Sequence, residues 1–242
     1  MRFNYRLRDN AAIFFAKMGF DNLLLYTRSK DISGQNGYYR AANGIVKINK
    51  ASLINHLIAR NHYKTYLEIG VRKGYNFHQV DVFEKTGVDP NPECECNYVM
   101  TSDAFFQQLS VKNKYDIIFI DGLHLEEYVD RDISNSLLHL NKNGSIVVHD
   151  CNPPTELHQR EDRRDIVNWN GTAWKSWVKL RRSRTDLKMQ VIDVDWGVGI
   201  IRQGKQVLYS CSGQEANSFE YLEKNRIKLL NLINVEEFFR KY

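Results

Sequence analysis

The chain has 242 residues, 43% of them hydrophobic, which suits a single domain with one sizeable α/β core. Its 34 basic and 29 acidic residues leave a formal net charge of +5 with no long polybasic block, which argues against a dedicated nucleic-acid-binding arm. The apolar segments predict neither a membrane span nor a signal peptide. Four cysteines do not make a disulfide framework at this length, so we expect reduced thiols in a cytoplasmic protein.

The first part of the chain is predicted to be an extension that precedes the core. It contains one amphipathic helical segment and then a loop rich in Gly, Ser and Asn, in which Tyr38 and Tyr39 lie. From Asn49 onward, apolar residues recur at helical spacing. This spacing predicts a helix that leads directly into the first strand of the core.

A hydrophobic run followed by a glycine turn spans Tyr66–Phe77, with the sequence YLEIGVRKGYNF. The pattern predicts a buried strand, a turn at Gly70, and a helix that continues from Gly74 to about residue 83. The unpaired N–H groups at a helix N-terminus suit a nucleotide or a carboxylate. A dinucleotide-binding turn has G-x-G-x-x-G after its strand, and here Glu68 replaces the first glycine. A carboxylate repels phosphate and attracts an ammonium group or ribose hydroxyls, so the pattern argues against a pyrophosphate.

Two further predicted strands also end near acids. A strand at residues 85–88 ends in Asp89, roughly twenty residues beyond the glycine turn, where a doubly wound sheet places an acid that binds ribose hydroxyls. A plain turn aspartate is the alternative. A third strand at residues 98–100 leads into Ser102 and Asp103. These residues suit a helix N-cap or a carboxylate that accepts from an adenine amino group, and the two roles are compatible.

The fourth and fifth strands, at residues 115–120 and 145–148, are the most apolar, and a turn at residues 141–144 precedes the fifth. Ligands of open α/β sheets bind outside the carboxyl ends of the strands. We therefore expect the polar residues that follow these two strands to share one crevice with the glycine turn: Asp121, His124, His149 and Asp150. In contrast, Asp116 and Asp132 are interpreted as ordinary strand-edge and helix-face charges.

The remaining chain predicts a helix at Trp169–Leu180 and two strands with a tight turn within Met189–Ile201. The last segment is amphipathic, and we expect it to fold back on its own domain, with a dimer contact as the alternative. We place the N-terminal extension at residues 1–48, the main domain at residues 49–210 and the C-terminal helical tail at residues 211–242.

The motifs at these strand ends resemble those of a known family. The pattern E-x-G-x-x-x-G at Glu68–Gly74 resembles motif I of the class I S-adenosylmethionine-dependent methyltransferases. The pairing of D-G-x-H at Asp121–His124 with H-D-C-N-P-P at His149–Pro154 is similar to the small-molecule O-methyltransferases of sugar and antibiotic biosynthesis and to the cephalosporin hydroxylase-like group. The resemblance covers about residues 52–202.

The resemblance implies an α/β fold with a Rossmann-like, doubly wound sheet. Such a sheet has seven strands, mostly parallel with an antiparallel last strand, and helices on both faces. It also implies S-adenosylmethionine as the cofactor. The residues expected to bind it are Glu68, Gly70, Val71, Gly74, Asp89, Ser102, Asp103 and Asp121.

Two mechanisms of methyl transfer to a hydroxyl group remain open. In the first, Asp121 and Asp150 match the carboxylate ligands of a magnesium-type cation in metal-dependent relatives, and the cation lowers the pKa of a bound hydroxyl. His149 and Cys151 depart from that pattern, because imidazole and thiol favour zinc, manganese or iron, or no metal. In the second, His124 or His149 is the general base, with His124 preferred, because an imidazole titrates near neutral pH.

The expected function is S-adenosylmethionine-dependent O-methylation of a hydroxylated small molecule such as a sugar or a glycan. The substrate class comes from the resemblance alone. Two alternatives keep the fold: a hydroxylase-like or other group transfer, and a non-catalytic module that binds the cofactor. We expect no nucleic-acid partner, and a homodimer stays open.

Overall fold

The computed structural model describes residues 38–41, 44–163 and 169–242. The amphipathic helix predicted in the N-terminal extension lies outside these residues. The tyrosine pair that was predicted in a loop instead begins a strand, β1 (Tyr38–Ala41), which pairs antiparallel with β2 (Gly44–Lys47). Tyrosine and β-branched residues favour extended backbone, and here they outweigh the neighbouring glycines on which the loop prediction rested.

One mixed sheet forms the centre of the protein. Its strands in chain order are β3 (Thr65–Ile69), β4 (Glu84–Asp89), β5 (Tyr98–Val99), β6 (Tyr115–Ile120), β7 (Leu140–Val148), β8 (Leu187–Ile192), β9 (Val198–Gln203) and β10 (Leu232–Ile233). Their spatial order is β10-β8-β9-β7-β6-β3-β4-β5. Strand β9 is antiparallel to both of its neighbours, and the other pairs are parallel.

The doubly wound, mostly parallel sheet is therefore confirmed, but the expected count of seven strands is wrong. The sheet has eight strands among the described residues. The additional strand is β10, which pairs with the edge strand β8. It forms because the predicted tail helix breaks at Asn231, which has the left-handed φ and ψ of 53° and 54° that asparagine tolerates well.

Helices cover both faces of the sheet, as expected. They are α1 (Lys50–Asn61), α2 (Ser102–Gln108), α3 (Glu126–Leu138), α4 (Ala173–Ser183), α5 (Gly213–Ala216), α6 (Phe219–Leu230) and α7 (Val235–Lys241). Successive side chains of a strand point to opposite faces. Accordingly, Ile118 and Ile120 belong to a core with α3, α4 and α6, whereas Ile117 and Phe119 belong to a core with α1 and α7.

The helix predicted to continue from Gly74 to about residue 83 is wrong. The structure has only a short 3₁₀ turn at Phe77–Gln79, and Val80 returns to extended backbone. This segment is rich in aromatic, β-branched and Asn residues, which are weak helix formers. In addition, the Asn76 side chain donates to the buried Glu68. The chain between β3 and β4 is therefore mainly an irregular loop.

The predicted turn at residues 141–144 is absorbed into β7, which shows a register irregularity against β6 beside it. Cys94 and Cys96 form a disulfide, which overturns the expectation of reduced thiols for this pair, while Cys151 and Cys211 are free. The turn after β4 brings the pair together, with 5.3 Å between their Cα atoms. Within the described part of the chain, every helix is too short or too polar to cross a membrane.

Candidate active site

Gly70 begins the turn at the carboxyl end of β3 and has a φ of +92°. A Cβ on this residue would lie 2.2 Å from the backbone oxygen of Asp121, so only glycine permits the close approach of the β3 and β6 ends. The turn continues over β4, where the backbone N–H of Arg72 donates to Asp89 Oδ2 at 2.8 Å. Asp89 Oδ1 accepts from the N–H of Asn91, also at 2.8 Å. The glycine turn and the first acid of the site are therefore one hydrogen-bonded unit.

A cavity of about 320 Å³ lies outside the ends of β3, β4 and β6, and we call it the cofactor cavity. Its walls include apolar groups from Ile69, Val88, Pro90 and Leu123. The structure also brings to it most of the residues expected to bind the cofactor. These are Gly70, Asp89, Ser102, Asp103 and Asp121.

A smaller cavity of about 180 Å³ adjoins the glycine turn and is lined by Glu68, Val71 and Asn76, among others. Glu68 Oε2 accepts from the Tyr66 hydroxyl at 2.5 Å and from Asn76 Nδ2 at 3.0 Å. Burial raises the pKa of Glu68 to about 7, although these two hydrogen bonds oppose the shift. The carboxyl group of Glu68 is thus enclosed, and it lines this smaller cavity beside the glycine turn.

Gly74 differs from the other residues predicted to bind the cofactor, because it lines neither of these cavities. Its φ is +71°, and a Cβ there would lie 2.5 Å from His78 Nε2 and 3.3 Å from Glu95 Cβ. A side chain at Gly74 would therefore first meet His78 and Glu95 in the neighbouring loop. The role of Gly74 in cofactor binding stays a prediction.

Four groups from the ends of β6 and β7 converge next to the cofactor cavity. His149 Nδ1 lies 3.1 Å from Asp121 Oδ1 and 3.0 Å from Asp150 Oδ2. His124 Nδ1 lies 3.0 Å from Asp150 Oδ2, and His124 Nε2 lies 3.4 Å from Asp121 Oδ1. The sequence-based expectation that these four share one crevice agrees with this geometry.

Sequence reasoning missed two charged members of the cluster. Lys50 Nζ lies 2.6 Å from Asp121 Oδ2, and the Lys50 backbone N–H donates to Asp195 Oδ2 at 2.8 Å. Asp195 Oδ1 also lies 3.5 Å from His149 Nε2. The chain order indicates the position of both residues. Because α1 precedes β3, the N-terminus of α1, where Lys50 lies, is at the carboxyl edge of the sheet. The β8–β9 turn, where Asp195 lies, is at the same edge.

These charges determine each other's protonation. Burial alone would raise the pKa of Asp121, but the Lys50 ammonium and the His149 imidazolium bring it well below the usual range. Burial would lower the pKa of His149, but Asp150 and Asp121 outweigh it and bring that pKa well above the usual value. The two carboxylates therefore favour the protonated form of His149.

His124 has a defined tautomer. Its Nδ1 lies 2.8 Å from the carbonyl oxygen of Trp169, and a carbonyl only accepts, so Nδ1 bears the hydrogen. Its ring stacks on Trp169 with a centroid distance of 5.4 Å. Gly171 supports the arrangement, since a Cβ there would lie 2.2 Å from the His124 backbone oxygen. The other nitrogen, Nε2, faces Asp121. Burial lowers the pKa of His124, but Asp150 and Asp121 outweigh it and raise that pKa above the usual value.

A second cavity of about 320 Å³ lies over this cluster, and we call it the acceptor cavity. It is lined by Lys50, His124 and Asp150, with Trp169 and Trp196 as aromatic walls. Arg72, Asp121, Gly122 and Leu123 line both the acceptor cavity and the cofactor cavity. The two spaces therefore meet at the end of β6.

Residues 60–151 match the family model described as a methyltransferase domain. Over this segment, the chain is similar to methyltransferase domains. No curated protein sequence matches the chain. Among solved structures, the chain is similar to cofactor-bound Rv0187 from MTB, with a TM-score of 0.50 and 13% identity over 85% of this chain and 100% of that one. It is also similar to the O-methyltransferase TomG from Streptomyces achromogenes, with a TM-score of 0.49 and 12% identity over 80% and 96% of the two chains.

The matched segment contains all of β3 to β7, together with Glu68, Asp89 and the Asp121–Asp150 cluster. At 13% identity, the first of these structures shows the fold, and it extends that likeness beyond the matched segment. The family match and the fold together confirm the resemblance to the class I S-adenosylmethionine-dependent methyltransferases.

The matched segment also contains a candidate metal site. One ligand atom from each of Asp121, His124 and Asp150 lies within 4.8 Å of the others. Cys151 takes no part, because its buried thiol donates to the Val148 carbonyl oxygen at 3.4 Å, away from the cluster. The donor set is therefore two carboxylates and one imidazole, which suits magnesium or manganese better than a thiolate-containing set would.

Asp150 is held in an unusual backbone conformation by residues outside the matched segment. Its φ is +60°, and its Oδ1 accepts from Asn170 Nδ2 at 2.7 Å. The next turn of chain is held by the tail, since Arg226 donates to Asn152 Oδ1 at 2.6 Å and to the Pro153 oxygen at 2.9 Å. The position of the second acid thus depends on α6 as well as on the domain core.

Proposed function

We propose that this protein transfers a methyl group from S-adenosylmethionine to a hydroxyl oxygen of a small molecule. The observation that carries the proposal is that the cofactor cavity and the acceptor cavity share one wall, formed by Arg72, Asp121, Gly122 and Leu123. Methyl transfer is an in-line displacement, and most of the protein's contribution is to hold the two reactants in contact. Two cavities that meet beside a charged cluster supply that arrangement.

The residues of the cofactor side fit S-adenosylmethionine, which supplies an electrophilic methyl group when bound. Glu68 is an enclosed carboxyl group suited to the ammonium of the methionine part. Asp89 is buried beside the glycine turn and suits the ribose hydroxyls. Ser102 and Asp103 are assigned to the adenine. Gly70 and Val71 shape the turn, and Gly74 supports it indirectly through the loop around His78.

On the acceptor side, His124 Nε2 is the proposed proton acceptor in a metal-free reaction. The Nδ1–H bond to Trp169 fixes the ring, and Asp121, 3.4 Å from Nε2, stabilises the imidazolium that forms. His149, already protonated, orients Asp121 and Asp150. Lys50 neutralises the other oxygen of Asp121 and limits the negative charge next to the reacting hydroxyl.

His124 also belongs to the candidate metal site, and with Nδ1 bonded to Trp169 we assign Nε2 as its ligand atom. Asp121, Asp150 and His124 Nε2 would hold a magnesium-type cation, and a cation there lowers the pKa of a hydroxyl bound to it. A nitrogen that binds a cation cannot accept a proton. The two mechanisms therefore exclude one another at His124 Nε2, and an experiment that varies the metal distinguishes them.

Isothermal titration calorimetry with S-adenosylmethionine and S-adenosylhomocysteine, in the presence of magnesium and then of EDTA, tests the proposal. We expect both compounds to bind, and Asp121→Asn to abolish binding. The matched control is Asp186→Asn, which removes a carboxylate at an exposed ion pair with Arg184 far from both cavities and should bind like the wild type.

Each outcome has a distinct meaning. If neither compound binds, the methyltransferase proposal is wrong. Binding that is insensitive to EDTA, combined with turnover that is also insensitive, favours His124 as the base. Turnover that needs added magnesium or manganese favours the metal-assisted route.

We further propose a hydroxylated acceptor such as a sugar or a glycan, because the acceptor cavity combines charged groups with the faces of Trp169 and Trp196. A sugar ring combines apolar C–H faces with polar hydroxyl groups, which suits a cavity of this mixed character. We further propose that the substrate is a small molecule and not a nucleic acid, and that the protein acts in the cytoplasm. We also propose that the C-terminal tail belongs to the same domain. A homodimer is tested by light scattering of the full chain.

A further inference from the structure

Asp132 is a buried carboxyl group at the cofactor cavity that sequence reasoning treated as an ordinary helix-face charge. It lies on α3 and its exposed fraction is 3%. It lines the cofactor cavity together with Ser102 and Gly122. A charged group that is almost fully enclosed normally has a partner.

The described residues supply Asp132 with only some of the hydrogen-bond donors that a buried carboxylate needs. Its side chain is hydrogen-bonded to Ser102. Oδ1, however, has no hydrogen-bond partner among the described residues. Oδ2 would lie 3.8 Å from a Cβ at Gly122, an ordinary van der Waals distance, so this oxygen lies beside the Gly122 backbone at the cavity wall.

The cation next to Asp132 in the chain is directed elsewhere. Arg131, the neighbouring residue on α3, donates from Nε to both carboxylate oxygens of Asp103 at 3.2 Å. Asp103 and Arg131 lie at the partly exposed mouth of the site, with side-chain exposures of 39% and 42%. Two acids therefore face the region between α2 and α3, and among the described residues only the outer one, Asp103, has an ion-pair partner.

Burial raises the pKa of Asp132 to about 6, despite the Ser102 hydrogen bond. The group is consequently ionised at the pH of most assays while lacking a full set of donors. A ligand that brings an N–H donor to this point would supply what the protein omits.

We propose that Asp132 accepts a hydrogen bond from the exocyclic amino group of the cofactor's adenine, at the enclosed end of the cofactor cavity. The inference rests on the proposed function. The surrounding walls from Ile69, Val88, Pro90 and Leu123 are apolar and suit a flat base. The ammonium and the ribose have separate acids, Glu68 and Asp89. The amino group has a second hydrogen, which Asp103 at the mouth accepts.

The test compares S-adenosylhomocysteine with S-inosylhomocysteine by calorimetry at pH 8, where Asp132 is ionised. The inosyl compound replaces the amino group with an oxygen, which a carboxylate repels. We expect the wild type to bind the adenosyl compound at least about tenfold more tightly. Asp132→Asn should bind the adenosyl compound about tenfold more weakly and bind the inosyl compound as well or better, since an amide donates to that oxygen.

Glu127→Gln is the matched control, because Glu127 is an exposed carboxylate on the same helix that does not line the cavity. It should keep the wild-type ratio of the two affinities. Asp132→Ser is a second variant without a carboxylate, and thermal melts of both variants without ligand identify any loss of folding. The ratio of affinities is measured within one variant, so a change in stability does not imitate the expected effect.

Two results would overturn the inference in distinguishable ways. If the wild type binds S-adenosylhomocysteine and the Asp132 variants keep its preference over the inosyl compound, Asp132 does not contact the amino group, and the proposed function stands. If the wild type binds neither compound, the proposed function fails together with this inference.

Discussion

The ammonium group of Lys50 lies 2.6 Å from Asp121 Oδ2, at the point where the cofactor and acceptor cavities meet. The two residues are separated by 71 positions in the chain. Lys50 is the first residue of α1, and Asp121 directly follows β6, so the pair joins the start of a helix to the end of a central strand. This contact keeps Asp121 ionised, and it places the Lys50 ammonium beside Asp121 wherever that carboxylate faces a ligand in either cavity.

Lys50→Met should lower the free energy of unfolding by about 3 kcal/mol, because removing one partner of a buried ion pair leaves an uncompensated charge. Magnesium should restore part of this loss, because without Lys50 the carboxylates of Asp121, Asp150 and Asp195 lack a nearby positive charge that a bound cation would replace. Urea denaturation with and without magnesium measures both effects. Lys179→Met, at the exposed ion pair with Asp130, is the control and should cost less than about 1 kcal/mol. Equal losses in the two variants would contradict the role of Lys50.

His124→Gln should reduce turnover by about 10² to 10⁴-fold, because glutamine has no nitrogen that accepts a proton or binds a cation as Nε2 does. The affinity for S-adenosylhomocysteine should stay close to the wild-type value, since His124 lines the acceptor cavity and not the cofactor cavity. Calorimetry and a methyl-transfer assay on the same preparations separate the two quantities.

His139→Gln is a matched control for this change. His139 is also buried, and its Nδ1 lies 2.9 Å from a carbonyl oxygen, that of Asn113, but it is far from the cluster. The variant should retain turnover per folded molecule. Retained turnover in His124→Gln would remove His124 from the mechanism.

Glu68→Gln should change how stability depends on pH. The pKa of Glu68 is raised from 4.5 to about 7 by burial, so between these values the folded state binds more protons than the unfolded state. Its contribution to stability therefore falls as pH rises through this window, by about 3 kcal/mol in total. Glutamine removes that fall. Denaturant unfolding from pH 4.5 to pH 8 measures it, with the exposed Glu84→Gln as control, and an unchanged slope in Glu68→Gln would show that the site does not titrate in this range.

Gly70→Ala and Gly74→Ala should differ in their effect on cofactor binding. At Gly70 an added Cβ meets the backbone of Asp121, which cannot move without separating β3 from β6, so both folding and affinity should suffer. At Gly74 it meets the His78 side chain, and the positive φ adds about 1–2 kcal/mol of strain. Stability should fall, and the affinity of the folded protein for S-adenosylhomocysteine should change little. The double variant Gly74→Ala/His78→Ala should recover part of the stability. Loss of affinity in it would return Gly74 to the cofactor site.

The strand ends show how far the sequence alone specified the site. Apolar runs followed by acids predicted β3, β4, β6 and β7 and the crevice at their carboxyl ends, because parallel strands deliver their last residues to one edge. The helix predicted after Gly74 was wrong, because the hydrogen bond from Asn76 to Glu68 is a contact that the helical periodicity of the segment does not reveal. The tail helix likewise ends at Asn231, and the residues that follow pair with the edge of β8 as an additional strand. This pairing depends on tertiary structure.

What the sequence by itself determined was a mostly parallel doubly wound sheet, the resemblance to methyltransferases, and the acids and histidines that follow the strands. These depend on hydrophobic period and on neighbours in the chain. Only the tertiary structure decided which charges meet: Lys50 with Asp121, Asp195 with His149, and Arg131 with Asp103 and not Asp132. Those pairings join elements far apart in the chain, and their protonation depends on burial and on distances of about 3 Å. A linear pattern contains neither quantity.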